Sequence, residues 1–159
     1  MPNTYTQLYV QIVFAVKGRQ NLIRKEYREE LHRYLTGIVQ KRGAKLMAVY
    51  AMPDHVHLFI GFGATLTISD LVRDVKASSS GFFKEKGWIK NFAWQEGYGA
   101  FSYSQSQAKA VVQYVLNQEE HHRKRTFREE YLAFLRKFEV SFEPKYLFEF
   151  YDTEGRSNE

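Results

Sequence analysis

Pro53-Asp54-His55-Val56-His57-Leu58-Phe59-Ile60 opens an apolar β-type run with two histidines one residue apart. Successive strand side chains point to opposite faces, so His55 and His57 share one face while Val56, Leu58 and Ile60 pack on the other. A neutral imidazole is the commonest metal ligand, and two held in parallel on a rigid strand make half a metal site. A lone His-x-His is more often structural than functional, so its meaning depends on whether the chain supplies the other half.

Working outward, residues 6–16 read as a long strand. Leu8, Val10, Ile12, Phe14 and Val16 fill one face, and Val13 and Ala15 make the other apolar too, the mark of a central strand. Residues 24–42 carry Tyr27, Leu31, Tyr34, Leu35 and Ile38 at helical spacing, and Gly43 stops the helix. Residues 45–52 form a second strand, which Pro53-Asp54 turns back into a third over His55–Gly61 as a hairpin. Thr67 caps a second helix reaching Lys86, with Ile68, Leu71, Val72, Val75, Phe82 and Phe83 on its buried side. A fourth strand is expected over Gly99–Tyr103. Ser104-x-x-Gln107 is a capping box opening a third helix that runs to about His121. Thr126-x-x-Glu129 opens a fourth, with Tyr131, Phe134, Leu135 and Phe138 along one side.

Strand, helix, two strands, helix, strand and added helices is the order of an α+β, ferredoxin-like or RRM-like split βαβ antiparallel sheet with C-terminal helices added. The first and third strands then lie side by side at the centre. Helices are expected on one face, with the other available, as in RNA-recognition modules. Residues 1–151 read as one domain and 152–159 as a flexible polar tail.

Composition narrows the chemistry. With 159 residues, 44% of them hydrophobic and 16% aromatic, the chain can bury a sizeable core. It has no cysteine, which excludes disulfides, thiolate zinc sites and a cysteine nucleophile. The N-terminal residues lack a signal pattern, and no apolar run approaches the roughly 20 residues of a membrane span. The expectation is a soluble, cytoplasmic protein with no membrane partner. A net charge of +5 permits a polyanionic partner without demanding one.

The missing half is sought in the third helix. Tyr114 and Gln118 are four apart, so they stack on one side, at the shoulder of the stripe formed by Ala108, Val111, Val112 and Val115. Of the 11 tyrosines most must be structural; only Tyr114 and Tyr103 have a glutamine four residues on, and Gln107 is better used as a capping partner. A nucleic-acid surface is sketched by Lys17 and Arg19 after the first strand, by Arg73, Lys76 and Ser79 on the second helix, and by Lys90 beside Trp88 and Trp94. Lysine and arginine neutralise phosphates and aromatics stack unpaired bases, although alternating charges also make an ordinary solvated face. His121-His122-Arg123-Lys124-Arg125 could grip phosphate, yet cations also suit a helix C-terminus for dipole reasons alone. A water-activating nuclease would look instead to Asp54 or Asp70 as its base, with Asp54 better placed to make the turn.

His55-Val56-His57, then Trp94-Gln95-Glu96-Gly97-Tyr98-Gly99-Ala100-Phe101-Ser102, then Tyr114-Val115-Leu116-Asn117-Gln118, resembles the single-tyrosine HUH transposases. These are encoded by small insertion sequences that move as single-stranded DNA, and they are related to the REP-associated tyrosine transposases. The resemblance runs from about Thr4 to Leu135. It implies a ferredoxin-like homodimer that cleaves and rejoins single-stranded DNA near imperfect-palindrome hairpins through a 5′-phosphotyrosine. It also implies His55, His57 and Gln118 as ligands of Mg²⁺ or Mn²⁺ and Tyr114 as nucleophile, with active sites that can be shared between subunits. The rival readings are a domesticated hairpin-binding relative without transposition activity, a single-stranded RNA-binding module and a plain metal-dependent phosphoesterase.

Overall fold

The structure, a computed structural model, describes residues 3–151, so the expected tail at 152–159 lies outside the described residues. The elements follow as β1 (Tyr9–Ala15), α1 (Arg28–Lys41), β2 (Lys45–Ala51), β3 (His55–Gly61), α2 (Ile68–Lys86), β4 (Gly99–Tyr103), α3 (Ala108–Leu116), α4 (Gln118–Lys124) and α5 (Phe127–Lys137), with short 3-10 turns between some of them. The sheet order is β2-β3-β1-β4, antiparallel at every pairing. With β3 inserted between β1 and β2, this is the ferredoxin-like split βαβ sheet with added C-terminal helices.

Register explains which side chains reach which layer. Ile12 pairs with Leu58 and Phe14 with Val56. These four face the same side and meet Leu31, Leu35 and Val39 of α1 and Leu71, Val72, Val75 and Phe83 of α2 in one buried core. Val13 pairs with His57 and Ala15 with His55, so both histidines sit on the opposite face at the centre of the sheet. Thr67 caps α2 by accepting the Asp70 N–H at 3.1 Å, and Gly87 ends it at φ 69°, a left-handed conformation that glycine adopts without a Cβ penalty.

Three expectations change. The second sheet face is not open, because α3 lays Ala108, Val111 and Val115 on Ala48 and Phe59, and α5 brings Phe127 against His55. Phe59 is apolar on the histidine face and could not be left bare to water without loss of its burial energy. The third helix is also not continuous to His121. It stops at Leu116; Asn117 adopts φ −103° and ψ 28°, and a new helix starts at Gln118. Asparagine is a poor interior helix residue because its side chain competes with the backbone for hydrogen bonds. Finally, β1 begins three residues later than expected, leaving Leu8 48% exposed. Among the described residues no helix is long and apolar enough to cross a membrane.

Candidate active site

Strand β3 delivers His55 and His57 into the layer between the sheet and the C-terminal helices, where both are fully buried. Their rings lie 5.1 Å apart between centroids, and His55 stacks face to face on Phe127 of α5 at 3.8 Å. Each ring is oriented from its Nδ1 side. His55 Nδ1 donates to Asp54 Oδ1 at 2.7 Å, and His57 Nδ1 donates to Gln11 Oε1 at 2.7 Å. Gln11, on β1, is itself fixed by its Nε2, which donates to the Tyr103 hydroxyl at 3.1 Å. Asp54 thus does more than make the turn, and its carboxylate orients a site histidine. Such partners fix the tautomer and leave Nε2 as the atom free to bind a cation.

The opposite wall comes from α4 and α5. Glu130 is completely buried, with Oε1 3.0 Å from His57 Nε2, 3.3 Å from His122 Nε2 and 3.7 Å from His55 Nε2. Among the described residues His55 Nε2 has no hydrogen-bond partner, although it is buried. Burial disfavours the charged form of Glu130, but its interactions with the neighbouring His57 and His122 rings outweigh it and hold the carboxyl well below its usual range. The four side chains His55, His57, His122 and Glu130 bring ligand atoms within 4.8 Å of one another and could hold a metal ion.

Tyr114, on α3, is half-buried and stands at the edge of this cluster. Its hydroxyl donates to Glu130 Oε2 and lies 3.4 Å from an Arg125 guanidinium nitrogen, while its ring stacks on His121 at 4.3 Å. Burial first, and then the Glu130 charge, push its phenol above the ordinary tyrosine value. Gln118 is buried despite the helix break. Its Oε1 is 3.0 Å from His122 Nε2, and its Nε2 donates to the Tyr114 carbonyl at 3.3 Å. A groove of about 450 Å³ between α3 and α5 opens onto this point, with Tyr114, Arg125, Glu130 and Lys137 in its wall.

The four proposed site residues, His55, His57, Tyr114 and Gln118, therefore meet in one place. His122, Glu130 and Gln11 are additional. Glu130 carried a readable signal, since it lies on the apolar side of α5 with Phe127 three residues before it and Phe134 four after. The expected DNA contacts divide by exposure. Lys17, Arg19, Arg73 and Lys90 are exposed. Arg73 pairs with Asp70 at 3.0 Å, and Arg19 lies over the Tyr151 ring at 5.8 Å. Lys76 is half-buried, donating to the carbonyls of Gln95 at 2.9 Å and Gly97 at 2.6 Å. Ser79 is fully buried, donating to the Val75 carbonyl and accepting from Trp94 Nε1. These two side chains hold the loop before β4, and a buried hydroxyl cannot lie against a phosphate.

Residues 4–118 match the family model described as "Transposase IS200 like". The ISDra2 transposase TnpA of Deinococcus radiodurans is 29% identical over 119 residues, which cover 70% of this chain and 84% of that protein. Two solved structures share the fold. One, reported as a transposase of Deinococcus radiodurans R1, gives a TM-score of 0.58 at 24% identity, covering 73% of this chain and 94% of its own. The other, a REP-associated tyrosine transposase bound to a REP hairpin, gives 0.56 at 16% identity, covering 76% and 72%. With well over half of its length matched, this chain belongs to the IS200-like transposase family.

Proposed function

We propose that this transposase cleaves and rejoins single-stranded DNA near hairpins through a covalent link between Tyr114 and a 5′-phosphate. The observation that carries the reading is the Tyr114 hydroxyl held on Glu130 beside His55 and His57, at the end of an open groove. His55 and His57, with the Gln118 amide oxygen nearby, would hold a divalent cation, Mg²⁺ or Mn²⁺. Such a cation, when bound, polarises a non-bridging phosphate oxygen and offsets charge as it develops.

The chain's own residues account for the rest. An unperturbed phenol is only about one-thousandth ionised at pH 7, and Tyr114 is pushed further from ionisation by its surroundings. Its proton therefore leaves as the bond to phosphorus forms, and Glu130 Oε2 already accepts it. The Tyr114 oxygen bonds to phosphorus, the P–O3′ bond breaks, and the 3′-oxygen departs as a free hydroxyl after taking up a proton. Because the link conserves the phosphodiester, a second 3′-OH reverses the step and joins new strands without ATP. Arg125, close to the attacking oxygen, is placed to balance negative charge on the phosphate.

The hairpin as ligand is supported by the relative solved on a REP hairpin. The homodimer implied by the family would not be needed to assemble this cluster, since every side chain in it comes from one chain. We further read residues 1–151 as one domain acting in the cytoplasm. The test uses a labelled single-stranded oligonucleotide carrying a hairpin, Mn²⁺, and wild-type or Tyr114→Phe protein on a denaturing gel. The wild type should give a protein–DNA adduct and Tyr114→Phe none. A native-gel shift without cleavage marks a hairpin-binding protein instead, and cleavage without adduct marks a phosphoesterase.

A further inference from the structure

Three imidazoles in the cluster have Nδ1 engaged by an acceptor. His55 uses Asp54 and His57 uses Gln11, each at 2.7 Å, while His122 Nδ1 donates to the Arg125 carbonyl at 3.1 Å. In a neutral imidazole with the proton on Nδ1, Nε2 carries a bare lone pair. All three Nε2 atoms converge on one oxygen, Glu130 Oε1, at 3.0, 3.3 and 3.7 Å. Lone pairs aimed at a carboxylate oxygen repel unless positive charge lies among them.

The spacing matches a coordination shell. Tetrahedral ligands about 2.1 Å from a metal stand about 3.4 Å from one another, in the middle of the three nitrogen–oxygen distances. Two of the four donors, His122 and Glu130, lie beyond the stretch 4–118 shared with the family model. Their elements, α4 and α5, are set over β3 by the break at Asn117 and by the extended backbone of Arg125 at φ −150° and ψ 154°.

We propose that His122 and Glu130 join His55 and His57 as ligands of one cation, and that Glu130 also ties that cation to Tyr114 through its second oxygen. This rests on the reading of His55 and His57 as a metal site. The donor chemistry defines the ion. Three imidazoles and one carboxylate suit a first-row transition dication such as Mn²⁺ or Co²⁺, whereas Mg²⁺ favours oxygen donors and keeps its waters. Gln118, whose Nε2 donates to the Tyr114 carbonyl at 3.3 Å, is then a positioning residue that ties the start of α4 to the end of α3.

The test needs no DNA and no turnover. Metal-free full-length protein is titrated with Mn²⁺, followed by the electron paramagnetic resonance of the free ion, and with Co²⁺, followed by visible absorption. The wild type should bind one equivalent of Co²⁺. His122→Gln and Glu130→Gln should each weaken it by about tenfold or more, and Gln118→Ala by less than about threefold. Both ligand variants should also change the Co²⁺ absorption bands, which a merely structural role would not do. Wild type that binds no Co²⁺, or a loss confined to Gln118→Ala with both ligand variants unchanged, overturns the assignment. Circular dichroism reports folding, and if Glu130→Gln fails to fold, His122→Gln decides alone, since its partly exposed ring is the less costly to replace. Adduct formation on hairpin DNA is read separately on the same wild-type preparation. Failure of the ligand assignment thus leaves the transferase reading standing, and the reverse holds too.

Discussion

The Tyr114 hydroxyl donates to Glu130 Oε2 while the other oxygen of the same carboxylate faces His57 Nε2 at 3.0 Å. One buried side chain therefore spans the distance between Tyr114 and the histidine pair. A charge-assisted hydrogen bond of this kind is stronger than a neutral one. Tyr114→Phe should cost about 1–3 kcal/mol in the metal-free protein, read from urea denaturation in EDTA, because Glu130 loses a donor it cannot replace from solvent. An unchanged midpoint would mean that the contact does not persist in solution.

Arg125 approaches the Tyr114 hydroxyl from outside the cluster at 3.4 Å. Arg125→Ala should slow adduct formation by about a hundredfold, in line with loss of one oriented donor to developing charge. Hairpin affinity, measured by native-gel titration, should change far less. Equal losses in binding and in rate would make Arg125 a general DNA contact.

Gly99 begins β4 beneath α5. A Cβ there would meet the Tyr131 hydroxyl at 2.8 Å and Tyr131 Cε2 at 2.9 Å. Tyr131 follows Glu130 on α5, so relieving the clash displaces the carboxylate. Gly99→Ala should cost about 1–3 kcal/mol in thermal or urea unfolding and lower Co²⁺ affinity with it. Lost stability with full cation affinity would show that α5 yields elsewhere.

His32 supplies a pH dependence outside the site. Its Nε2 accepts the Ala51 N–H at 2.9 Å, which requires the ring to be unprotonated there. Burial, and then the Arg28 charge, lower its pKa to about 4 from the ordinary 6.5. A histidine with a depressed folded-state pKa contributes stability that is complete above the unfolded value and is lost as pH falls from about 6.5 toward 4. The wild type should therefore lose more stability between pH 7.5 and pH 5 than His32→Gln does, compared by urea midpoints. Parallel losses would contradict this assignment.

Much of this architecture could be read from local pattern. β3 and β4 begin and end where alternation and turn residues place them, and Thr67 and Thr126 cap their helices as their spacing implies. Both histidines share a face because strand periodicity leaves no alternative. The reading weakened where tertiary packing overrides local preference. Val111 and Val115 form an ordinary amphipathic stripe, and nothing in their spacing says that they will cover the histidine face. Asn117 interrupts a run that otherwise continues in helical period. His122 looked like a cation at a helix end, and Glu130 directly follows the acid of a capping box. Gln11 and Glu130 each put a polar side chain within an otherwise apolar face, which is the trace a buried site leaves in sequence.

Where the DNA becomes attached separates a tyrosine transferase from its rivals. A hairpin-bearing single strand labelled on the 3′ side of the cut is incubated with wild-type protein and Mn²⁺, and the product is digested with trypsin and analysed by mass spectrometry. The predicted result is label joined through a 5′-phosphate to the peptide carrying Tyr114, and none with Tyr114→Phe. Cut DNA with no labelled peptide, or label on any other residue, would contradict it.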